Sequence, residues 1–310
     1  MKNIYINILI YIVVTSFFAY IWIKEKELGK KIQNIKDKFS DKIIGKYEVK
    51  SPMKKKVIRG TVNWTETIVT AVVLVLVIQH FYVGNFLVPT GSMIPTIEIG
   101  DRVFGDMVSY NFRDPKRGEI VVFREPMDNK LLFTKRLIGE SGDKVKIGSD
   151  KRIYINGKKL TDKKYDRDYF QLGYLGAGEW YIPKKGDTIQ IAGEFKPAEG
   201  KLSDIGKLND VQRYLMSRGD VITRALPYAK FIVNGKYETG IIMDFLRDDE
   251  IAKKLLSGEK ITLKENYYFV LGDNSKTSFD SRWWGLVAEH RFRGRAMFRF
   301  WPVNRMGLLK

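Results

Sequence analysis

The chain has 310 residues, with 54 Lys or Arg against 36 Asp or Glu, so its formal charge at pH 7 is +18. Such an excess suits a protein that binds nucleic acid or one that lies against anionic lipid, and the distribution of the charges has to decide between the two. The absence of cysteine excludes disulfides, thiolate metal sites and a cysteine nucleophile, and only His80 and His290 are available for imidazole chemistry.

The first predicted element is a transmembrane helix, because residues 4–23 contain no charged side chain. Twenty residues that rise about 1.5 Å each cover the roughly 30 Å hydrocarbon core of a bilayer. A cleaved signal peptide is the alternative, but it requires a small-x-small site after a shorter apolar run, and residues 17–20 match such a site poorly. We therefore assign residues 1–23 to a first membrane span.

A second uncharged run, residues 68–88, predicts another transmembrane helix. Trp64 precedes it and Phe81 and Phe86 lie toward its far end, as is typical of aromatic residues at a membrane interface. A buried core helix is the alternative, but an uncharged run of this length that is rich in valine favours the membrane. The predicted second span covers residues 64–88.

The segment between the two predicted spans, residues 24–63, is strongly basic. Residues 24–60 contain thirteen Lys or Arg and five acids, and such a segment is expected to be a loop on the cytoplasmic side. Two crossings would then put the rest of the chain outside, in the periplasm or at the cell exterior. Nucleic-acid binding is the alternative for this segment, but it contains no recognisable binding module, so we favour lipid contact and predict no nucleic-acid partner.

After residue 88 the pattern becomes that of short β-strands separated by tight turns. Gly-Asp or Gly-Glu pairs begin at Gly100, Gly118 and Gly142, and each precedes a β-rich run. Asn-Gly pairs at 156 and 234 predict hairpins, because both residue types tolerate positive φ. The sequence therefore predicts a mainly β domain outside the membrane.

An insertion is predicted within this β domain, which itself comprises residues 89–159 and 263–310. Residues 160–262 form the inserted part, and we expect a mixed α/β subdomain with helices at Leu208–Met216 and Met243–Leu256. Gly-Asp pairs at 186 and 219 resemble the strand starts of the main domain, but the pattern is too short to show a duplication.

Two clusters contain residues that could carry out nucleophilic chemistry. Ser92 lies in a turn rich in Pro and Gly, although an ordinary connecting turn has the same composition. Lys135 interrupts an apolar strand pattern, where burial would lower its pKa and let the neutral amine accept a serine proton. A solvated strand lysine is the alternative, and a histidine base remains open, although His80 lies in the apolar run and His290 in a charged stretch.

A third cluster, residues 272–285, begins as a turn after an apolar strand pattern. Asp280 and Arg282 can pair within it, although turn chemistry alone would also explain the composition.

Together the three clusters resemble the ordered motifs of the bacterial type I signal peptidases (leader peptidases), which are serine–lysine dyad proteases. The matching segments are Ser92-Met93-x-Pro95-Thr96 with Gly100-Asp101, Lys135-Arg136 with Gly139 and Gly142-Asp143, Gly272-Asp273-Asn274 with Ser278 and Asp280-Ser281-Arg282, and Phe300-Trp301-Pro302-x-Asn304-Arg305-x-Gly307. The chain departs from the family pattern at Ser275-Lys276-Thr277, where an extra positive charge would alter local pairing. The insertion contains no family motif.

This resemblance implies a membrane-bound serine endopeptidase that removes N-terminal signal peptides from exported preproteins after small-x-small sites. Ser92 would be the nucleophile and Lys135 the general base, and the backbone N–H of Ser92 with the hydroxyl of Thr90 would stabilise the oxyanion. Ser278 would orient the lysine amine, and four charged residues would brace the site: Asp280, Arg282, Asp273 and Arg136.

The resemblance also implies where the substrate binds and where the protein resides. The residues at positions that line the family's pockets for small side chains are Phe86, Val88, Pro89, Met93, Phe133 and Thr134. The fold would be a signal-peptidase-type antiparallel β domain with a mixed α/β insertion, preceded by two transmembrane helices. The implied partners are signal peptides and the lipid bilayer, in the bacterial plasma membrane with the catalytic domain on its outer face, and no metal or cofactor is implied.

Two other functions compete with this interpretation. A non-catalytic, membrane-anchored scaffold of the export apparatus would tolerate replacement of Ser92 and Lys135. A self-cleaving regulator on the same type of fold would need a DNA-binding module and a small-small cleavage site before the serine, where the two predicted spans lie instead.

Overall fold

The computed structural model describes residues 4–127, 129–173, 175–192 and 230–309. The chain falls into two units, Met1–Val83 and Gly84–Lys310. The first is helical, with α1 at Ile4–Ile23, α2 at Glu25–Lys46 and α3 at Pro52–Phe81. The predicted helix Leu208–Met216 and the Gly-Asp pair at 219 lie outside the described residues.

The basic segment that was predicted as a loop is helical. It is formed by α2 and the first turns of α3, and it is rich in Lys and Glu, which favour helices. The ion pairs Lys36–Glu66, at 3.2 Å, and Arg59–Asp41, at 2.9 Å, join α2 to α3. The helical structure of this segment was not predicted, because its charges were used only to place it relative to the membrane.

One helical segment among the described residues is long and apolar enough to cross a membrane, Pro52–Gln79 within α3, whereas the apolar part of α1, Tyr11–Ile23, is shorter. Two transmembrane helices are therefore not confirmed. The second predicted span was also placed too far along the chain, since α3 ends at Phe81 and the next residues form a strand. Gly84, a poor helix former, lies at this change.

The described part of the second unit is mainly β, as predicted, and the helices within that part are short. The strands are β1 Val83–Leu87, β2 Arg102–Asp106, β3 Ile120–Arg124, β4 Leu132–Gly139, β5 Lys144–Ile147, β6 Ile153–Ile155, β7 Lys158–Lys159, β8 Glu179–Tyr181, β9 Thr188–Ala192, β10 Lys230–Val233, β11 Tyr237–Thr239, β12 Ile261–Thr262, β13 Tyr267–Leu271, β14 Val287–Ala288, β15 Phe292–Trp301 and β16 Gly307–Leu308. The helices are α4 Met243–Arg247, α5 Asp249–Leu256 and α6 Ser281–Trp284. The single helix predicted over Met243–Leu256 is divided at Asp248, whose carboxylate caps α5.

The large sheet has the strand order β1-β2-β15-β3-β4-β13-β14, with β16 paired to β15. The pairings of β15 with β2, β3 and β16, of β4 with β3 and β13, and of β13 with β14 are antiparallel. Strand β3 is central, and its successive side chains enter two different core clusters. Val121 and Phe123 join the larger cluster, whereas Ile120 and Val122 join a smaller one with Met93. Both faces of the sheet are therefore covered around β3.

The Gly-Asp and Gly-Glu pairs of the sequence form one recurring turn. Gly100, Gly118, Gly142 and Gly186 have φ between +87° and +92°, a conformation that residues with a Cβ rarely adopt. In all four turns the carboxylate of the next residue accepts a hydrogen bond from the backbone N–H three positions earlier, at 2.8–3.0 Å. Each pair thus reverses the chain and starts a strand.

Two four-stranded sheets repeat one design, with the orders β7-β6-β5-β8 and β11-β10-β9-β12. Each contains an Asn-Gly turn with positive φ at both residues, which confirms the predicted hairpins at Asn156 and Asn234. The Nδ2 atom of each asparagine donates to the aspartate that begins the sheet, Asp143 or Asp187, at 2.9 Å in both cases. The two sheets are therefore a structural repeat that the sequence pattern was too short to reveal.

The repeated turn makes a prediction about stability. Gly142 has φ +92° and open space around its Cα, so Gly142→Ala introduces backbone strain without a collision. We expect the substitution to lower the free energy of unfolding by about 1–3 kcal/mol. Gly307, which also has open space but no positive φ, is the matched control, and Gly307→Ala should change stability by less than about 0.5 kcal/mol. Urea unfolding of the detergent-solubilised chain measures both, and equal effects would contradict the strain argument.

Candidate active site

Ser92 lies in a short 3-10 turn, Gly91–Met93, that follows β1. Two hydrogen bonds from Asn274 hold this turn: its backbone N–H donates to the Ser92 carbonyl at 2.9 Å, and its side-chain amide donates to the Gly91 carbonyl at 3.1 Å. The Met93 side chain is fully buried in the smaller core cluster. The turn is therefore fixed from both sides, and Ser92 itself is nearly buried.

Lys135 lies on β4 opposite Val121 of β3, and only 4% of its surface is exposed. Its Nζ atom donates a hydrogen bond to the Ser92 Oγ at 2.6 Å. The two residues are far apart in sequence, so the sheet and the turn together create this contact. The hydroxyl and the amine lie at the distance that direct proton transfer requires.

Burial lowers the pKa of Lys135 to about 8, because a charged amine loses its hydration inside the sheet. Asp280 and Asp273 oppose this effect by favouring the charged form, and Arg282 adds to it. At pH 7 a pKa of about 8 leaves roughly a tenth of the amine neutral. A neutral amine can accept a proton, so this environment converts a lysine into a usable base.

Arg136, the next residue on β4, forms a fully buried ion pair with Asp273. The guanidinium donates to both carboxylate oxygens, at 2.8 and 2.7 Å. The Thr96 hydroxyl also donates to this carboxylate, and Arg167 approaches it at 2.9 Å. The carboxylate therefore ties β4 to Thr96, which follows the serine turn, and to Arg167.

A second fully buried pair joins Arg282 to Asp280, at 2.8 Å for each of two hydrogen bonds. The Asp280 carboxylate also accepts the Gly272 N–H at 3.0 Å. Ser275 lies in the segment that departs from the family pattern, and it is part of this network: its hydroxyl accepts from Arg282 at 2.7 Å. The nearby Lys276 amine lies over the Phe170 ring, 5.3 Å from its centroid, so the extra positive charge meets an aromatic face.

Two predicted hydroxyl groups lie near the dyad with incomplete bonding. Thr90 Oγ1 is 3.5 Å from Ser92 Oγ, at the outer limit of a hydrogen bond. Ser278 Oγ is buried and has no hydrogen-bond partner within the described residues, so no bond to Lys135 is seen. A Cβ on Gly272 would collide with Ser278 Oγ at 2.1 Å and with the Ser92 carbonyl at 2.5 Å. Only glycine at 272 lets these groups come together.

A groove of about 360 Å³ leads to Ser92 and Lys135. Five of the six residues predicted to contact substrate line it: Phe86, Val88, Pro89, Phe133 and Thr134. Met93 does not, because the serine turn directs its side chain into the core. Thr277 and Phe279 complete one wall. The groove is mainly apolar, which suits small apolar side chains of an extended peptide.

Several site residues were not identified from the sequence. Asn274 and Thr96 belong to motifs identified in the sequence, but the groups that they bond to come close only in the folded structure. Arg167 had no sequence signal, because its partner Asp273 is distant in the chain.

The histidine alternative to a lysine base involved His290. His290 contacts Glu265 at 2.9 Å, whereas the Ser92 hydroxyl is hydrogen-bonded to Lys135. Among the described residues no group of three His, Cys, Asp or Glu could hold a metal ion.

Comparison with known proteins identifies the family. Residues 61–301 match the model of the family described as signal peptidase, peptidase S26. A probable signal peptidase I-2 of Synechocystis is 30% identical over 84% of this chain and 84% of its own length. Signal peptidase I T of Bacillus subtilis is 28% identical (81% and 91%), and signal peptidase I of Pseudomonas fluorescens is 27% identical (76% and 75%). The chain therefore belongs to the signal peptidase family, peptidase S26, and is a hydrolase of the signal peptidase I type.

Proposed function

We propose that the chain is a membrane-anchored serine endopeptidase that cleaves signal peptides from exported preproteins after small-x-small sites, with Ser92 as nucleophile and Lys135 as general base. The contact of 2.6 Å between Lys135 Nζ and Ser92 Oγ carries this proposal. Membership of the signal peptidase family supports the reaction class, and the low pKa of the lysine supports its role.

In the proposed reaction the neutral Lys135 amine takes the Ser92 proton as Oγ attacks the carbonyl carbon of the scissile bond. The resulting oxyanion would accept hydrogen bonds from the Ser92 N–H and the Thr90 hydroxyl. The ammonium then gives its proton to the leaving amine, and an acyl-enzyme remains. The same lysine removes a proton from the water that hydrolyses the ester.

The surrounding residues would hold the lysine in place without cancelling the effect of burial on its pKa. Asp273 is neutralised by Arg136, and Asp280 by Arg282, so neither carboxylate strongly stabilises a charged amine. Ser278 Oγ is buried without a partner, and a small rotation of the lysine would make it the acceptor that orients Nζ. In the groove, Phe86, Val88, Pro89, Phe133 and Thr134 would select small substrate side chains.

The membrane arrangement is a further part of the proposal. The apolar segment in α3 supports one span directly, and the uncharged α1 is proposed as a second. The basic segment between them would face the cytoplasm, because positive segments are retained on that side. The catalytic unit would then lie on the outer face of the plasma membrane, where exported preproteins emerge, with lipid and signal peptides as its partners.

The dyad can be tested by cleavage of a preprotein with an Ala-x-Ala site. We expect Ser92→Ala and Lys135→Met to lose at least about 10³-fold in kcat, since each removes the nucleophile or its base. Lys135→Arg should be equally inactive, because a guanidinium does not deprotonate. Lys276→Arg, outside the dyad, serves as the control that should retain activity. Full cleavage by the variants would contradict the dyad, whereas no cleavage by folded wild type would favour the non-catalytic scaffold.

The pKa of Lys135 also predicts a pH effect on stability. The folded pKa of about 8 lies below the ordinary 10.5, so the unfolded chain binds the extra proton between these values. Stability should therefore rise as pH increases from 8 to 10.5, and the buried charge should cost up to about 3 kcal/mol below pH 8. Lys135→Met should be more stable than wild type at pH 7, with the difference vanishing near pH 10.5. Parallel unfolding curves at all pH values would contradict the burial argument.

The two spans can be tested with single cysteines, since the natural chain has none. With two spans, a maleimide that cannot cross membranes should label Lys2→Cys and Lys236→Cys in intact cells, or in spheroplasts where an outer membrane blocks access. Lys50→Cys should react only after permeabilisation. Protection of Lys2→Cys with labelling of Lys236→Cys would show a single span and contradict the proposed topology.

A further inference from the structure

The catalytic unit contains a second groove, of about 790 Å³, that the proposed reaction does not use. Five basic residues line it, Arg117, Lys163, Lys164, Arg167 and Arg295, against two acidic ones, so its lining carries three net positive charges. Its floor is apolar and includes residues of β3, β15 and β16. A groove of this kind suits an extended chain that carries negative side chains.

Two of these arginines have bonding capacity that the described residues leave unused. The Nε atoms of Arg117 and Arg295 are buried and have no hydrogen-bond acceptor in the part of the chain that the structure describes. Lys163 is exposed and forms no ion pair there. A carboxylate that reached either arginine would supply an acceptor that the described residues do not provide.

The two grooves lie along the same pair of strands. The first is lined by Leu132 to Lys135 of β4 and by Val122 of β3, and the second by Ile120 of β3, which pairs with Arg136, the residue after Lys135. Arg167, in the lining of the second groove, contacts Asp273, which is the ion-pair partner of Arg136. An extended substrate that crosses the dyad along β4 therefore leads toward the basic groove.

We propose that the second groove receives the first residues of the mature chain, on the far side of the cleaved bond, and favours acidic side chains there. This inference rests on the proposed function: if the small residues of the signal peptide occupy the groove near Phe133 and Thr134, the mature segment leaves past Lys135. An extended chain advances about 3.3 Å per residue, so the positions concerned fall within the first several mature residues.

The test compares preproteins that differ by Asp or Asn at one of the first six mature positions, cleaved by the full chain in neutral detergent. At one or two of these positions Asp should raise kcat/KM over Asn by about two- to fivefold, the range of exposed ion pairs. In Lys163→Glu/Lys164→Glu the preference should vanish or reverse, while kcat/KM for the Asn substrates stays unchanged. Added salt should weaken the wild-type preference.

Lys253→Glu/Lys254→Glu is the matched control, because it reverses two adjacent exposed lysines that do not line the groove. It should keep the preference for Asp. Equal cleavage of Asp and Asn substrates by wild type, or an unchanged preference in Lys163→Glu/Lys164→Glu, would overturn the groove assignment and leave the proposed function intact. No cleavage of any substrate by folded wild type would remove both. The same assay is repeated with the enzyme in anionic vesicles. If Lys163→Glu/Lys164→Glu cleaves all substrates equally poorly, and only in those vesicles, the groove binds lipid headgroups and the peptide proposal is overturned.

Discussion

The burial of one amine is the constraint on which the rest of the site depends. Lys135 is almost without solvent, and an isolated ammonium there would be strongly disfavoured. Two carboxylates lie close enough to stabilise the charged form, yet each is bound by a buried arginine. Because each ion pair nearly cancels its own field, burial dominates and the pKa of Lys135 falls. The network therefore holds the backbone together without restoring the ordinary pKa of Lys135.

The same pairs explain why the site is rigid. Arg136–Asp273 joins β4 to the turn after β13, and Arg282–Asp280 closes that turn on itself through Gly272. Asn274 then holds the serine turn from the same segment. Removing one member of a buried pair leaves an uncompensated charge, at a cost of about 3–5 kcal/mol. The same ion pairs and hydrogen bonds therefore hold Ser92 and Lys135 in place and stabilise the fold.

The sequence predicted those features that depend on local pattern or on a family motif. The β character, the Asn-Gly hairpins and the residues near Ser92 and Lys135 could be predicted because each has a short sequence signal. The helical structure of the basic segment was missed because its lysines were interpreted only as a sign of which side of the membrane it occupies. The structural repeat was missed because its evidence is a hydrogen bond from Asn156 to Asp143 and its equivalent from Asn234. Distant pairs such as Arg167 with Asp273 leave no local trace at all.

The predicted boundary between main domain and insertion, at residues 159 and 160, separates elements that are bonded to each other in the structure. β8 lies beyond this boundary but pairs with β5, which lies before it. The Phe170 carbonyl accepts from Arg282 at 3.0 Å, and the Phe170 N–H donates to Ser275 at 2.9 Å. The first part of the predicted insertion therefore supports the turn that contains Ser275 and Arg282. The two repeated sheets differ in one connection: residues 193–229 separate β9 from β10, whereas the corresponding connection between β5 and β6 is short.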